Sequence, residues 1–183
     1  SQECMNIIGL GSRAQVGKDT LADNLFYSKV AFADGVRELA LKANPIIGGG
    51  MPLSDFVNVQ GWETAKQTAE VRTFLQNLGQ GARLVVGEDV WLKIVTAKVK
   101  ELQKDKTVKG IAVTDVRYPN EFKAIKKLGG IMIRIDRESA PKLSHPSEDS
   151  LDDADWDAVV ENNFTVPYLV DRVRAIIDER DNS

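Results

Sequence analysis

The sequence predicts an α/β protein: a five-stranded parallel sheet sandwiched by helices, with a helical insertion between the second and third strands and a short lid-like loop. Three observations carry this. Short, continuously apolar runs alternate with helical patterns along the chain, as in a parallel sheet covered on both faces. The first apolar run leads straight into a Gly-Lys turn that opens a helix. The 183 residues are 43% hydrophobic and 28% charged, which suits one globular domain with a substantial core.

The predicted strands are 4–10 (CMNIIGL), 30–33 (VAFA), 110–116 (GIAVTDV), 130–135 (GIMIRI) and 157–161 (DAVVE). Helical patterns cover 18–28, 34–43, 62–78, 88–104, 119–128 and 166–179. In the first, Leu21, Leu25 and Ser28 share a face with Ala22 and Phe26 beside them; in the last, Leu169, Val173 and Ile176 do so, with Val170 and Ile177 alongside. Pro119 at a helix start and Gly129-Gly130 after its end are the punctuation such a helix needs. Segments 44–61 and 136–155 read as long functional loops. The expected organisation is one domain over 1–183, with a core of 1–44 and 105–183, an insertion of about 45–104, and the lid-like loop at about 136–155.

Residues 9–20, GLGSRAQVGKDT, approach the phosphate-binding pattern G-x-x-x-x-G-K-[ST]. With its Gly-Lys on Gly17 and Lys18, Ser12 stands where the first glycine belongs and Asp19 where the hydroxyl belongs. In such a loop the backbone N–H groups of Ser12, Arg13, Ala14, Gln15, Val16 and Gly17 face the phosphates of ATP, together with the helix N-terminus. Ser12 is small enough to be tolerated there. Asp19 replaces a hydroxyl ligand of Mg²⁺ by a carboxylate, which is also a hard oxygen donor. Thr20 supplies a hydroxyl in the first turn, and Lys18 would bridge the β- and γ-phosphates. The alternative is an ordinary strand-to-helix turn with Asp19 favoured by the helix dipole.

GKDTLAD, FADGVRELALKANP, GWETAKQTAEVRTFLQNLG, GEDVW, TDVRYPNE, LGGIMIRIDR and HPSED occur in this order. Together they resemble the deoxynucleoside monophosphate kinases of tailed phages, over residues 7 to about 178. The resemblance implies the nucleoside monophosphate kinase branch of the P-loop NTPase fold, with ATP and Mg²⁺ as cofactors, a helical substrate-binding insertion and a mobile lid. Gly-Lys-Asp-Thr is the ordinary loop of that family, whereas Ser12 departs from its glycine. Gln15 and Val16 replace Arg or Lys and Ser, which implies fewer side-chain contacts to ATP.

Phosphoryl transfer between two anions is mostly positioning and charge neutralisation, so several arginines are expected besides Lys18 and Mg²⁺. Asp115 and Arg117 follow the third strand, at the edge where open α/β sheets bind ligands. Asp115 could orient the metal's waters or polarise the acceptor; Arg117 could clamp the acceptor phosphate, or instead pair with Asp115 or Glu121. By resemblance, Arg72 is a substrate-phosphate ligand, and Trp62, Lys66, Gln76 and Arg83 belong to the monophosphate pocket. A solvated helix accounts for Gln76 and Arg83 almost as well. Asp89 suits a first helical turn whatever the function, and Trp91 is either core or a stacking platform. Arg137 is the lid candidate, and Arg134 reads as solvent-facing. The lone His145 lacks the companions a metal site needs. Adenine is expected near Asn162 and Asn163 by fold analogy.

The net charge of −3 gives no reason to expect stable nucleic-acid binding. No apolar run approaches the roughly 18 residues of a membrane span, no secretory signal is visible, and the single Cys4 permits no internal disulfide, so a cytoplasmic protein is expected. Oligomeric state is open, a homodimer being consistent with the sequence. Two other functions fit the same residues: a P-loop kinase of another small acceptor such as dephospho-coenzyme A, and a non-catalytic nucleotide-binding module.

Overall fold

The computed structural model describes residues 5–11, 17–136, 151–161 and 165–183. The main sheet is built from β1 (Asn6–Gly11), β2 (Ser28–Val30), β5 (Gly110–Val113), β6 (Ile131–Asp136) and β7 (Ala158–Glu161), in the order β2-β5-β1-β6-β7. Every pairing in it is parallel, so all five carboxyl ends lie along one edge. The five-stranded parallel sheet flanked by helices is thus the architecture the sequence predicts.

Two compact units make up the chain, one of residues 1–31 and 95–183, the other of residues 32–94. The first holds the main sheet with α1 (Lys18–Asn24), α6 (Pro119–Lys127) and α7 (Val166–Asp181). Side chains alternate across β1. Ile8 and Leu10 join a buried cluster with Leu21 and Ala22 of α1 and Leu169, Val173 and Ile177 of α7. On the opposite face lie Gly9 and Gly11, so that Met132 and Ile125 close over Gly9 and Trp156 closes over Gly11.

The second unit contains α2 (Phe32–Ala43), a small antiparallel hairpin of β3 (Ile46–Ile47) and β4 (Met51–Pro52), α3 (Leu53–Ala65), α4 (Ala69–Val85) and the start of α5 (Val90–Gln103). Its core gathers Ala40, Ile47, Leu53, Ala65 and Val71, with Phe56, Trp62, Phe74 and Leu78 packed around them. The loop expected over 44–61 is therefore mostly structured, and the helix expected over 62–78 is two helices. Thr68 makes the break. Its hydroxyl donates to the Ala65 carbonyl (2.8 Å), ending α3, and accepts from the Val71 N–H (3.4 Å), capping α4. The first helix stops at Asn24 rather than 28, since the chain turns through Phe26 at φ 58° to enter β2.

Candidate active site

At the carboxyl edge of the first unit, β1 runs out at Gly11 and the next described residue, Gly17, caps α1 in a left-handed conformation (φ 82°, ψ 27°). That conformation strongly favours glycine. The Leu21 N–H donates to the Gly17 carbonyl (2.9 Å), closing the first turn, while buried Leu21 and Ala22 anchor the helix to the core. Lys18 is half-buried; Asp19 and Thr20 are exposed in that turn, where the backbone N–H groups have no intrahelical partner. Ser12, Arg13, Ala14, Gln15, Val16, Arg137 and Asn162 lie outside the described residues.

Past β5 the chain stays laced to both neighbouring strands. The Thr114 N–H donates to the Val30 carbonyl and the Val116 N–H to the Leu10 carbonyl, both at 3.1 Å. Half-buried Asp115 is thereby held between these two anchors, beside the end of β1. Arg117 follows, exposed. Glu121, only 4% exposed, accepts the backbone N–H groups of Arg117 (2.9 Å) and Tyr118 (3.0 Å) on one oxygen. Glu121 thus grips the main chain of Arg117. The signal for this was available: an acidic residue three positions after the cap and two after Pro119 is capping-box spacing.

Arg134 pairs with Gly11 across the β1–β6 ladder. Its side chain is 17% exposed and bonds Asp136 at 2.8 Å and Asp152 at 3.6 Å, which corrects its reading as a solvent-facing residue. Trp156, not singled out in the sequence, lies against Gly11 and meets Phe122 edge-on, with ring centroids 4.8 Å apart.

The other candidates lie in the second unit. Trp62 is half-buried beneath the Arg37 guanidinium, 5.6 Å from the ring centroid, and Lys66 pairs with Glu63 at 3.2 Å. Arg72 and Gln76 are both exposed and one turn apart on α4, so they share a face. Arg83 donates to the Glu88 carbonyl (2.9 Å), closing the α4–α5 turn. Asp89 pairs loosely with Lys93 (3.7 Å). Trp91 is buried with its indole N–H on the Gly79 carbonyl (2.9 Å), so it forms a fixed wall between α4 and α2, where Gly35 packs on its ring.

Among the described residues, no three His, Cys, Asp or Glu side chains converge as a metal cage. Mg²⁺ does not ask for one. It is usually held by one or two carboxylates, its own waters and substrate phosphates. Asp19 in the first turn of α1 and Asp115 beside the end of β1 are hard oxygen donors of the kind that mode uses.

A five-stranded parallel sheet of this order, with a Gly-Lys pair opening the helix that follows its first strand in the chain, is the architecture of P-loop kinases. Residues 53–173 match the deoxynucleotide monophosphate kinase family, and the chain belongs to that family. A protein of Acanthamoeba polyphaga mimivirus, provisionally named a deoxynucleotide monophosphate kinase, is 28% identical over 195 residues, covering 95% of this chain and 97% of that protein. Among solved structures, a dephospho-CoA kinase from Campylobacter jejuni superposes with a TM-score of 0.50 at 15% identity, covering 97% of this chain and 98% of its own. A sugar kinase from Janibacter sp. HTCC2649 gives 0.48 at 13% identity, with 95% of each chain covered. At 15% identity the likeness to the dephospho-CoA kinase speaks to fold alone. No helix among the described residues is long and apolar enough to cross a membrane.

Proposed function

We propose that this chain transfers the γ-phosphoryl group of ATP to a deoxynucleoside monophosphate, giving ADP and the deoxynucleoside diphosphate. The observation that carries the reading is Asp115 held beside the end of β1, in a family member whose next helix opens on Gly17-Lys18. The bond from the γ-phosphorus to its bridging oxygen breaks, and a bond to an acceptor phosphate oxygen forms. The leaving group departs as ADP, and an ionised acceptor oxygen needs no base to remove a proton.

Each residue has a role in this reading. Lys18 neutralises the β- and γ-phosphates, with the N–H groups of Ser12 to Gly17 and the Thr20 hydroxyl around them. Asp19 and Asp115 would hold Mg²⁺ or its waters, and the ion would supply charge neutralisation to the transferring phosphate. Arg117, presented by the Glu121-bound turn, clamps the acceptor phosphate. Arg72, Lys66, Gln76 and Arg83 receive the monophosphate, with Trp62, Asp89 and Trp91 shaping its pocket. Arg137 closes on the transferring group as the lid, and Asn162 borders adenine. ATP and deoxynucleoside monophosphates are cytoplasmic solutes, which supports a cytoplasmic setting.

Lys18→Ala tests the reading. ADP formation should fall by on the order of a hundredfold or more, with the circular dichroism spectrum unchanged. Full activity in that variant removes the loop from the mechanism.

A further inference from the structure

We propose that Thr114 is a positioning residue of the nucleotide site: its buried hydroxyl accepts a hydrogen bond from a water of the Mg²⁺ that arrives with ATP. The inference rests on the reading of Asp115 as a holder of that ion.

Two polar or charged side chains are buried among the described residues, Thr114 at 6% exposure and Glu121 at 4%. Glu121 is satisfied, since its carboxylate takes the N–H groups of Arg117 and Tyr118. Thr114 donates its backbone N–H to the Val30 carbonyl (3.1 Å), whereas its hydroxyl meets no hydrogen-bond partner among the described residues. A buried hydroxyl left this way is a standing cost to the fold, one that a valine of nearly the same shape would not carry. Native folds keep such groups mainly where a ligand, an ion or a water uses them.

Thr114 stands at the carboxyl edge of the sheet, where open α/β sheets bind ligands. Its bond to Val30 carries the β2–β5 pairing one residue past Val113. Side chains alternate along a strand, and Ala112 joins the buried cluster that includes Leu21 and Ala22, so Thr114 lies on the α1 side of the sheet. In a regular strand the Val116 N–H would point to β2 as that of Thr114 does; it goes instead to the Leu10 carbonyl of β1 (3.1 Å). The backbone therefore turns over at Asp115, and the hydroxyl and the carboxylate sit one residue apart at the turn.

Mg²⁺ held by one or two carboxylates and a substrate's phosphates keeps several waters. Those waters are polarised donors, and acceptors fixed beside the ion orient them. A neutral hydroxyl suits this place because a further carboxylate would repel the phosphates.

A threonine that only fills space changes stability alone, whereas one that holds a metal-bound water changes how ATP affinity depends on Mg²⁺. Wild type, Thr114→Val and Thr114→Ser are compared by calorimetric ATP binding in Mg²⁺ and in EDTA, by ligand-free melting temperature, and by the KM of each substrate. We expect Thr114→Val to weaken ATP binding about tenfold in Mg²⁺ and to match wild type in EDTA. Thr114→Ser, which keeps the hydroxyl, should retain most of the affinity. The KM for ATP should rise in Thr114→Val while the KM for the deoxynucleoside monophosphate stays unchanged.

Full Mg²⁺-dependent affinity in Thr114→Val overturns the inference, whether its melting temperature rises, as for a dry hydroxyl, or falls, as for one bonded to an internal water. Equal losses in Mg²⁺ and in EDTA overturn it too, since they report a damaged fold. If Thr114→Val does not fold, Thr114→Ala against Thr114→Ser decides in the same way. Wild-type protein that binds ATP equally with and without Mg²⁺ overturns the metal reading together with this inference, and wild-type protein that binds no ATP overturns the nucleotide site itself.

Discussion

Glu121 shows how much one buried carboxylate does at the candidate site. Its oxygen takes both the Arg117 and Tyr118 N–H groups, donors left without intrahelical partners where α6 begins. Removing it takes this acceptor from a part-buried turn, so Glu121→Ala should cost about 1–2 kcal/mol in a urea unfolding curve and raise the KM for the monophosphate. Glu121→Gln, which keeps an accepting oxygen, should retain most of both. Equal effects of the two substitutions would point to the charge rather than the bond. Tyr27 is a second residue-scale case. Burial raises its phenol above the ordinary value of 10.0, helped by Asp181 and Asp178 and opposed by a hydrogen bond with Asn6. The folded state thus favours the neutral form, so this stabilisation is complete below the unfolded pKa and is lost as pH rises through the folded one. Stability should fall as the pH rises above about 10, and by less in Tyr27→Phe; equal falls would remove Tyr27 as a cause. Lys18 and Asp19 were legible at this scale because a phosphate loop is a local pattern. Trp156 was not, because its partner Gly11 lies far away along the chain and only the fold joins them.

Elements were legible where apolar spacing keeps one phase. α6 and α7 match their sequence patterns almost end to end, since Pro119, Gly129 and the Leu169-Val173 spacing mark bounds and face together, although the stripe ends on buried Ile177 rather than the expected Ile176. α3 was missed for a physical reason. Leu53, Phe56 and Val57 set one stripe, but Gly61 takes φ 79° and ψ 163° inside the helix, so Trp62 and Ala65 continue in another phase. The bend turns Trp62 beneath Arg37. Gly61→Ala meets no atom within 4 Å, so its whole cost is backbone strain, expected at about 1–3 kcal/mol. It should also shift the tryptophan emission as Trp62 moves. A stability within a few tenths of a kcal/mol of wild type would show that the bend relaxes freely.

At the scale of the whole molecule, continuous apolar runs predicted a parallel sheet, and the five strands are parallel. Their spatial order was not legible, because β1 sits between β5 and β6, which come much later in the chain. That order places Asp115 beside the end of β1, and with it the reading of a kinase site. Family membership supplies the class of reaction, and the arginines of α4 and of the turn after β5 supply the expectation of a phosphorylated acceptor. The most direct measurement is ADP release from ATP and Mg²⁺ with each of the four common deoxynucleoside monophosphates, their ribose counterparts and dephospho-coenzyme A, alongside Lys18→Ala. Release should depend on one or more deoxynucleoside monophosphates and vanish in the variant. Release with dephospho-coenzyme A alone, or no acceptor-dependent release from protein that binds ATP, would contradict it.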